Sequence, residues 1–308
     1  MSTATATSMK LTAEQESENA RINAEIARLR KQARQARTIS LTLSYVALAL
    51  VTFLMIFPLI IVVIVSFTPN AVTQTWPPKI IPSAWTLDNY TSLFQRLPIG
   101  RELLNTIVFA GAVTIISVFF DSLAAYGLSR VDFKGRGILL AVLIATMMIP
   151  AMALLIPVYK LLGSMGLVNS YLGIIIPRMA DVGGIFLLRQ FFISIPKDLD
   201  NAARIDGATS RQILFKIKVP MVMPSVTICT FLTLTNSFKL FDQNVALTAG
   251  EPANASEMLA LNIYNTFYGR SGAQWKGIGQ AKAVVFFLIV VVISLIQLHF
   301  TRSKEVQQ

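Results

Sequence analysis

The stretch 201–224, NAARIDGATSRQILFKIKVPMVMP, lies between two strongly apolar runs and reads unlike either of them. Two small residues, Ala202 and Ala203, come first, then Asp206 and Gly207. Ile213, Leu214 and Ile217 follow at helical spacing, and Pro220 and Pro224 close the stretch. Each residue type has a local physical meaning. Paired alanines leave a helix surface nearly bare, on which another protein's backbone can pack. Gly207 permits a sharp reorientation or a positive φ that other residues resist. Proline is tolerated in the first turn of a helix, where the amides lack intrahelical partners anyway. Just upstream, Asp198 or Asp200 is placed to cap a helix. The stretch therefore predicts a short helix, a bend, and a second helix that enters the apolar segment beyond.

Composition says what those apolar segments are. Of 308 residues, 54% are hydrophobic and only 14% charged, with mean hydropathy +0.61. A soluble domain carries about a quarter charged residues, so the charge deficit marks an integral membrane protein. The net charge of +11 sits in short basic clusters between apolar runs, which fix orientation and do not point to nucleic acid. The single cysteine, Cys229, excludes an internal disulfide and a thiolate metal cluster, and it reads as a small buried hydrophobe. A lone His299 offers no metal site.

Along the chain, residues 1–9 are rich in Ser, Thr and Ala and read as disordered. From Leu11 to Arg37 an exposed helix is expected, with Ile22, Ile26 and Leu29 at helical spacing and the basic run Arg28, Arg30, Lys31, Arg34, Arg37. It suits a solvated or lipid-surface position and is too charged and too long to front a cleaved signal peptide. Six apolar segments follow, near the length of about 20 residues that crosses the hydrocarbon core. They cover Ile39 to Phe67, Leu103 to Ser129, Gly137 to Tyr159 with an expected kink at Pro150 or Pro157, Val168 to Phe192, Val219 to Phe238, and Ala283 to Thr301.

Seven Lys and Arg precede the first segment, three lie in 130–136, six in 189–218 and two in the C-terminal tail. Positive residues are retained on the cytoplasmic side, so both termini and the stretch 201–224 are expected there, with 68–102 and 239–282 facing outward. The expected architecture is an all-α integral membrane protein. A cytoplasmic basic tail and helix span 1–38. Six transmembrane helices span 39–301 and contain the loop 195–220, and a cytoplasmic tail covers 302–308.

The loop resembles the cytoplasmic EAA loop of ATP-binding-cassette importer permeases, which runs Glu-Ala-Ala, three residues, Gly, nine residues, Ile, any residue, Leu-Pro. Here Asn201-Ala202-Ala203, Gly207, Ile217 and Val219-Pro220 keep every spacing. Asn201 stands in place of the glutamate and Val219 in place of the leucine. Neighbouring Asp200 is positioned to supply the missing charge. Asp88-Asn89-Tyr90, Asn105-Thr106, the run Ala124 to Arg130 and the run Phe186 to Phe192 are similar to the carbohydrate branch, and most to the six-helix partner of the maltose-type pair.

The resemblance implies a type I importer permease fold in a bacterial cell membrane. It also implies no bond chemistry and no cofactor in this chain, since ATP binds to a partner subunit. The expected partners are a second permease forming a heterodimer, an ATPase dimer docking at Asn201, Ala202, Ala203, Asp206, Gly207, Ile217 and Pro220, an extracytoplasmic sugar-binding protein, and membrane lipid. The sequence contains no phosphate-cradling G-x-x-x-x-G-K-[ST]. Polar residues inside the apolar segments are the candidates for lining a sugar pathway: Asp121, Arg178, Asp181, Asn236 and Lys239. Arg178 and Asp181, three apart, could instead pair with each other, and Asp121 could bond a neighbouring helix. Two alternatives remain at this point. One is an importer permease for a non-sugar solute. The other is an ion-coupled secondary transporter, against which the loop spacing and the lack of an internal repeat both argue.

Overall fold

The computed structural model describes residues 2–69, 82, 84–251, 254–272 and 274–302, with side chains from residue 28 onward except Gln274. Residues 303–308 of the expected C-terminal tail, 70–81 and 83 of the expected outward segment 68–102, and 252, 253 and 273 of 239–282 lie outside the described residues. The chain divides into two compact units, Met1–Ile61 and Val62–Gln308.

Helix α1, Ser2–Ser66, supplies the first unit. Residues 2–9 are helical, where disorder was expected. The reason is in the sequence: no Gly or Pro occurs before Pro58, so nothing interrupts propagation once a helix starts. The helix also passes through residues 38 and 39 without a break. Every described side chain from Arg28 to Ile60 is exposed, and Arg28–Ser66 is long and apolar enough to cross a membrane.

The second unit contains helices and no strand among its described residues. Its helices are α2 (Asp88–Arg96), α3 (Ile99–Arg130), α4 (Arg136–Thr146), α5 (Leu155–Ser164), α6 (Tyr171–Ile175), α7 (Val182–Ser194), α8 (Lys197–Ile205), α9 (Ser210–Gln212), α10 (Val219–Phe238), α11 (Asp242–Leu247), α12 (Leu259–Tyr268) and α13 (Gln274–Arg302). With α1, five helical stretches among the described residues have the length and apolarity of a span, and a bent pair makes up to six. That pair corrects one expectation. The segment around Pro150 is no single kinked helix: Arg136–Thr146 and Ala151–Ser164 meet at 97°. Pro150 cannot continue α4 because its ring occupies the space of a preceding carbonyl.

The fourth span is also interrupted. After α6, a 3-10 turn over Ile176–Arg178 gives way to extended backbone at Asp181 before α7 begins. At the centre, α3 packs along α7 and α10, and α13 packs on α10, α12 and α2. Ala125, Leu188, Phe192, Val222 and Cys229 form the core where α3, α7 and α10 meet. The small residues there permit a close approach: a Cβ on Gly184 of α7 would lie 2.6 Å from Asp121 Oδ2 on α3.

Candidate functional site

The loop 195–220 folds as helix, bend and helix. Asp198 and Asp200 sit in the first turn of α8, where negative charge complements the helix dipole, but neither caps it. Pro196 occupies the cap position without a side-chain bond. The helix ends in a Schellman arrangement. Ala208 N–H donates to Ala203 O at 2.9 Å, Gly207 N–H donates to Arg204 O at 3.0 Å, and Gly207 takes φ +83°. Thr209 then starts the next helix with a capping box: Gln212 Oε1 accepts its amide at 2.7 Å, and its hydroxyl accepts the Gln212 amide. Ile213–Lys218 forms a π turn before α10. Pro220 explains it, since the ring presses on the Lys216 carbonyl and offers no N–H to it, so the turn widens.

The loop therefore has a fixed shape, and its outer side carries apolar residues. Ile205 is 86% exposed and Phe215 62%, with Leu199 also exposed. Asn201, Ala202, Asp206 and Gly207 are exposed, whereas Ala203, Ile217 and Pro220 are half-buried. Asp200 does not replace the charge missing at Asn201. It turns inward, with Lys218 Nζ at 2.8 Å and Arg130 Nη1 at 3.9 Å from Oδ2. Arg130 also donates through Nη2 to Phe192 O and Ile195 O, both at 2.6 Å, and Lys218 lies 5.4 Å from the centre of the Tyr126 ring.

The five polar residues expected in the membrane separate into different environments. Asp121 is fully buried and accepts from Ser117 Oγ–H at 2.9 Å and from the Asp181 amide at 2.8 Å. Asp181 in turn caps α7 by accepting from Gly184 N–H at 2.9 Å. The two carboxylates thus hold the break in the fourth span. The Arg178–Asp181 pair does not form. The chain between them is not one helix, and Arg178 Nε donates to Gln243 Oε1 at 2.9 Å. Asn236 and Lys239 are exposed at the end of α10.

At the other end of α3, about 42 Å from Arg130 by helical rise, lies a polar cluster that sequence reasoning missed. Lys282, 1% exposed, donates to Glu102, 3% exposed, and to Asn262 Oδ1. Beside it, Asn105 Nδ2 donates to Ala255 O at 2.7 Å and to Glu257 O at 3.1 Å, and Tyr171 Oη–H donates to Asn105 Oδ1 at 2.6 Å. Asn244 binds Ser256 O at 3.0 Å and the Met258 amide at 3.1 Å, and Thr106 Oγ1 accepts the Leu259 amide at 2.9 Å. Segment 254–259 is thereby tied down, one of its few signals in sequence being Asn105-Thr106. Glu102 and Lys282 each adjoin an apolar run by one residue, which is why they read as loop.

Residues 117–306 match the model of the family described as "binding-protein-dependent transport system inner membrane component". The chain belongs to this family. The arabinooligosaccharides transport system permease protein AraQ of Bacillus subtilis is 32% identical over 206 residues, covering 66% of this chain and 72% of that protein. The "Probable starch degradation products transport system permease protein AmyD" of Thermoanaerobacterium thermosulfurigenes is 45% identical over 135 residues, covering 44% of this chain and 45% of that one. Among solved structures, a chain of a bacterial ABC transporter involved in import of the acidic polysaccharide alginate superposes with TM-score 0.72. It is 20% identical and covers 82% of this chain and 93% of that chain, a likeness of fold.

The family match runs from inside α3 through α13, so it takes in loop 195–220, both carboxylates at the fourth-span break and Lys282. The chain is thus a multi-pass inner-membrane component of a transport system. Glu102, at the start of α3, and the basic helix of α1 precede the matched region.

Proposed function

We propose that this chain is the permease subunit of an ATP-driven importer of oligosaccharide-type sugars, lining the pathway together with a second permease. The observation that carries the proposal is the loop 195–220. It is fixed at its bend by the Schellman arrangement that ends α8 and the capping box that starts α9, and it presents Ile205 and Phe215 exposed, 86% and 62%, among the described residues. An exposed, preorganised apolar crest of this kind suits docking into a cleft, because little ordering entropy is lost on binding. A cytoplasmic ATPase dimer is the proposed occupant, and closure of its two subunits on ATP would drive the membrane helices between inward and outward states. The excess of Lys and Arg in the N-terminal part of α1, before its apolar stretch, and in 189–218 supports placing both termini and the docking loop in the cytoplasm.

The tied segment 254–259 then lies on the outer face, where an extracytoplasmic sugar-binding protein would deliver its load. The names of the relatives support sugar as the substrate class. Arg178, Asn236 and Lys239, exposed in this chain, are the groups we assign to the pathway, whereas Asp121 and Asp181 serve the break in the fourth span. The test is reconstitution of the purified complex in proteoliposomes with labelled oligosaccharides, amino acids and phosphate. ATP-dependent uptake of an oligosaccharide is expected. Uptake of a non-sugar solute alone would replace the substrate class, and uptake driven by an ion gradient without ATP would refute the reading.

A further inference from the structure

We propose that Asp200, Arg130 and Lys218 form an ionic pin through which movement of the docking loop reaches the membrane helices, which makes Arg130 and Lys218 positioning residues for coupling. The inference rests on the reading of 195–220 as the ATPase-docking loop and adds the route by which its displacement is delivered. Helix α8 presents its exposed side outward and has one acidic side chain, Asp200, turned toward the body of the protein. On that carboxylate converge residues from separate membrane helices. Arg130 is the last residue of α3 and, through its two bonds to Phe192 O and Ile195 O, also grips the end of α7 and the linker that follows it. Lys218 closes the π turn at the entrance to α10 and lies over Tyr126 of α3. One carboxylate on the loop is thus shared by the ends of α3, α7 and α10, the three helices that pack together at the centre of the fold.

The physical consequence follows from burial. Lys218 is buried, and Arg130 and Asp200 have side chains only 6% and 15% exposed. If α8 slid alone by a few ångströms, Asp200 would leave both cations in a poorly hydrated place, where an unpaired charge is strongly disfavoured. Asp200 Oδ1 and Arg130 Nε have no hydrogen-bond partner among the described residues. The lower-energy response to a push on α8 is for the helix ends to travel with it. The long charged side chains at 130 and 218 therefore act as links that tolerate rotation while conserving distance.

The test uses the complex of the full chain with its co-purifying subunits in proteoliposomes, and it measures ATP hydrolysed and solute accumulated together. Lys218→Met, and the double variant Asp200→Asn with Lys218→Met, remove the tie, the double variant taking away both the loop carboxylate and the Lys218 charge while Arg130 keeps its bonds to Phe192 O and Ile195 O. Both are expected to retain the ATPase subunits and to hydrolyse ATP, while solute moved per ATP falls about tenfold, in the range of ordinary coupling effects. Lys218→Arg, which keeps the charge, is expected to keep the wild-type ratio. A wild-type ratio in the double variant would overturn the pin, and so would a Lys218→Arg defect as large as that of Lys218→Met. Loss of the ATPase from the double variant would also overturn it, because the residues would then serve docking itself. A wild-type complex with no ATP-driven uptake would fail earlier, at the docking reading, and take the pin with it.

Discussion

Gly184→Ala gives a prediction whose sign decides the reasoning. In the interior of an ordinary helix, replacing Gly by Ala stabilises by about 1 kcal/mol, because Gly loses more backbone freedom on folding. At Gly184 the added Cβ would lie 2.6 Å from Asp121 Oδ2 and 3.3 Å from its Cγ. The carboxyl cannot simply swing away, being fully buried and engaged with Ser117 Oγ and the Asp181 amide. Displacing it forfeits a hydrogen bond to a charged group, about 1.5–3 kcal/mol. Strain from overfilling a packed contact adds about 1–3 kcal/mol. Against the propensity gain, the net expectation is a loss of about 1.5–5 kcal/mol.

The assay is unfolding of the purified protein in mild detergent, as a double-mutant cycle with Asp121→Ala. In that background the obstructing oxygen is gone, and Gly184→Ala should cost less than about 1 kcal/mol or stabilise. Equal costs in both backgrounds, or a stabilising Gly184→Ala in the wild type, would refute the contact between α3 and α7 as the cause.

Two further predictions use the same assays. Lys282→Met strands Glu102 in a dry site and should destabilise by about 3–5 kcal/mol, with most of the loss recovered by adding Glu102→Gln; no recovery would mean that packing, not charge, is at stake. Gly207→Ala meets no atom within 4 Å but must hold φ +83°, at a cost of about 1–2 kcal/mol. It should lower recovery of the ATPase subunit, whereas Gly207→Asn, which visits that region readily, should lower it less; equal loss would point to space, not backbone, at the bend.

The spans were legible because apolar runs of sufficient length leave few alternatives, and the fifth was read with the bounds Val219–Phe238 that α10 has. The shape of the loop 195–220 was legible for a different reason. Gly207 and Pro220 act through their own backbone and Thr209 through a partner three residues on, so local chemistry carried the bend. What escaped depends on partners far along the chain. Asp181 reads as a mate for Arg178 three residues away until Asp121, sixty residues earlier, is seen to hold its amide. Asp200 reads as an outward charge until Arg130 and Lys218 close on it. Pro150 announces a kink, but not that the flanking helices meet at 97°.

The most direct test of the account is affinity purification of the tagged full chain from native membranes in mild detergent, with identification of what accompanies it. Recovery of an ATP-binding-cassette ATPase and a second permease, with the ATPase lost and the second permease kept when Ile205 and Phe215 are replaced by aspartate, is the predicted result. A homo-oligomer without an ATPase, from protein that retains its fold, would contradict it.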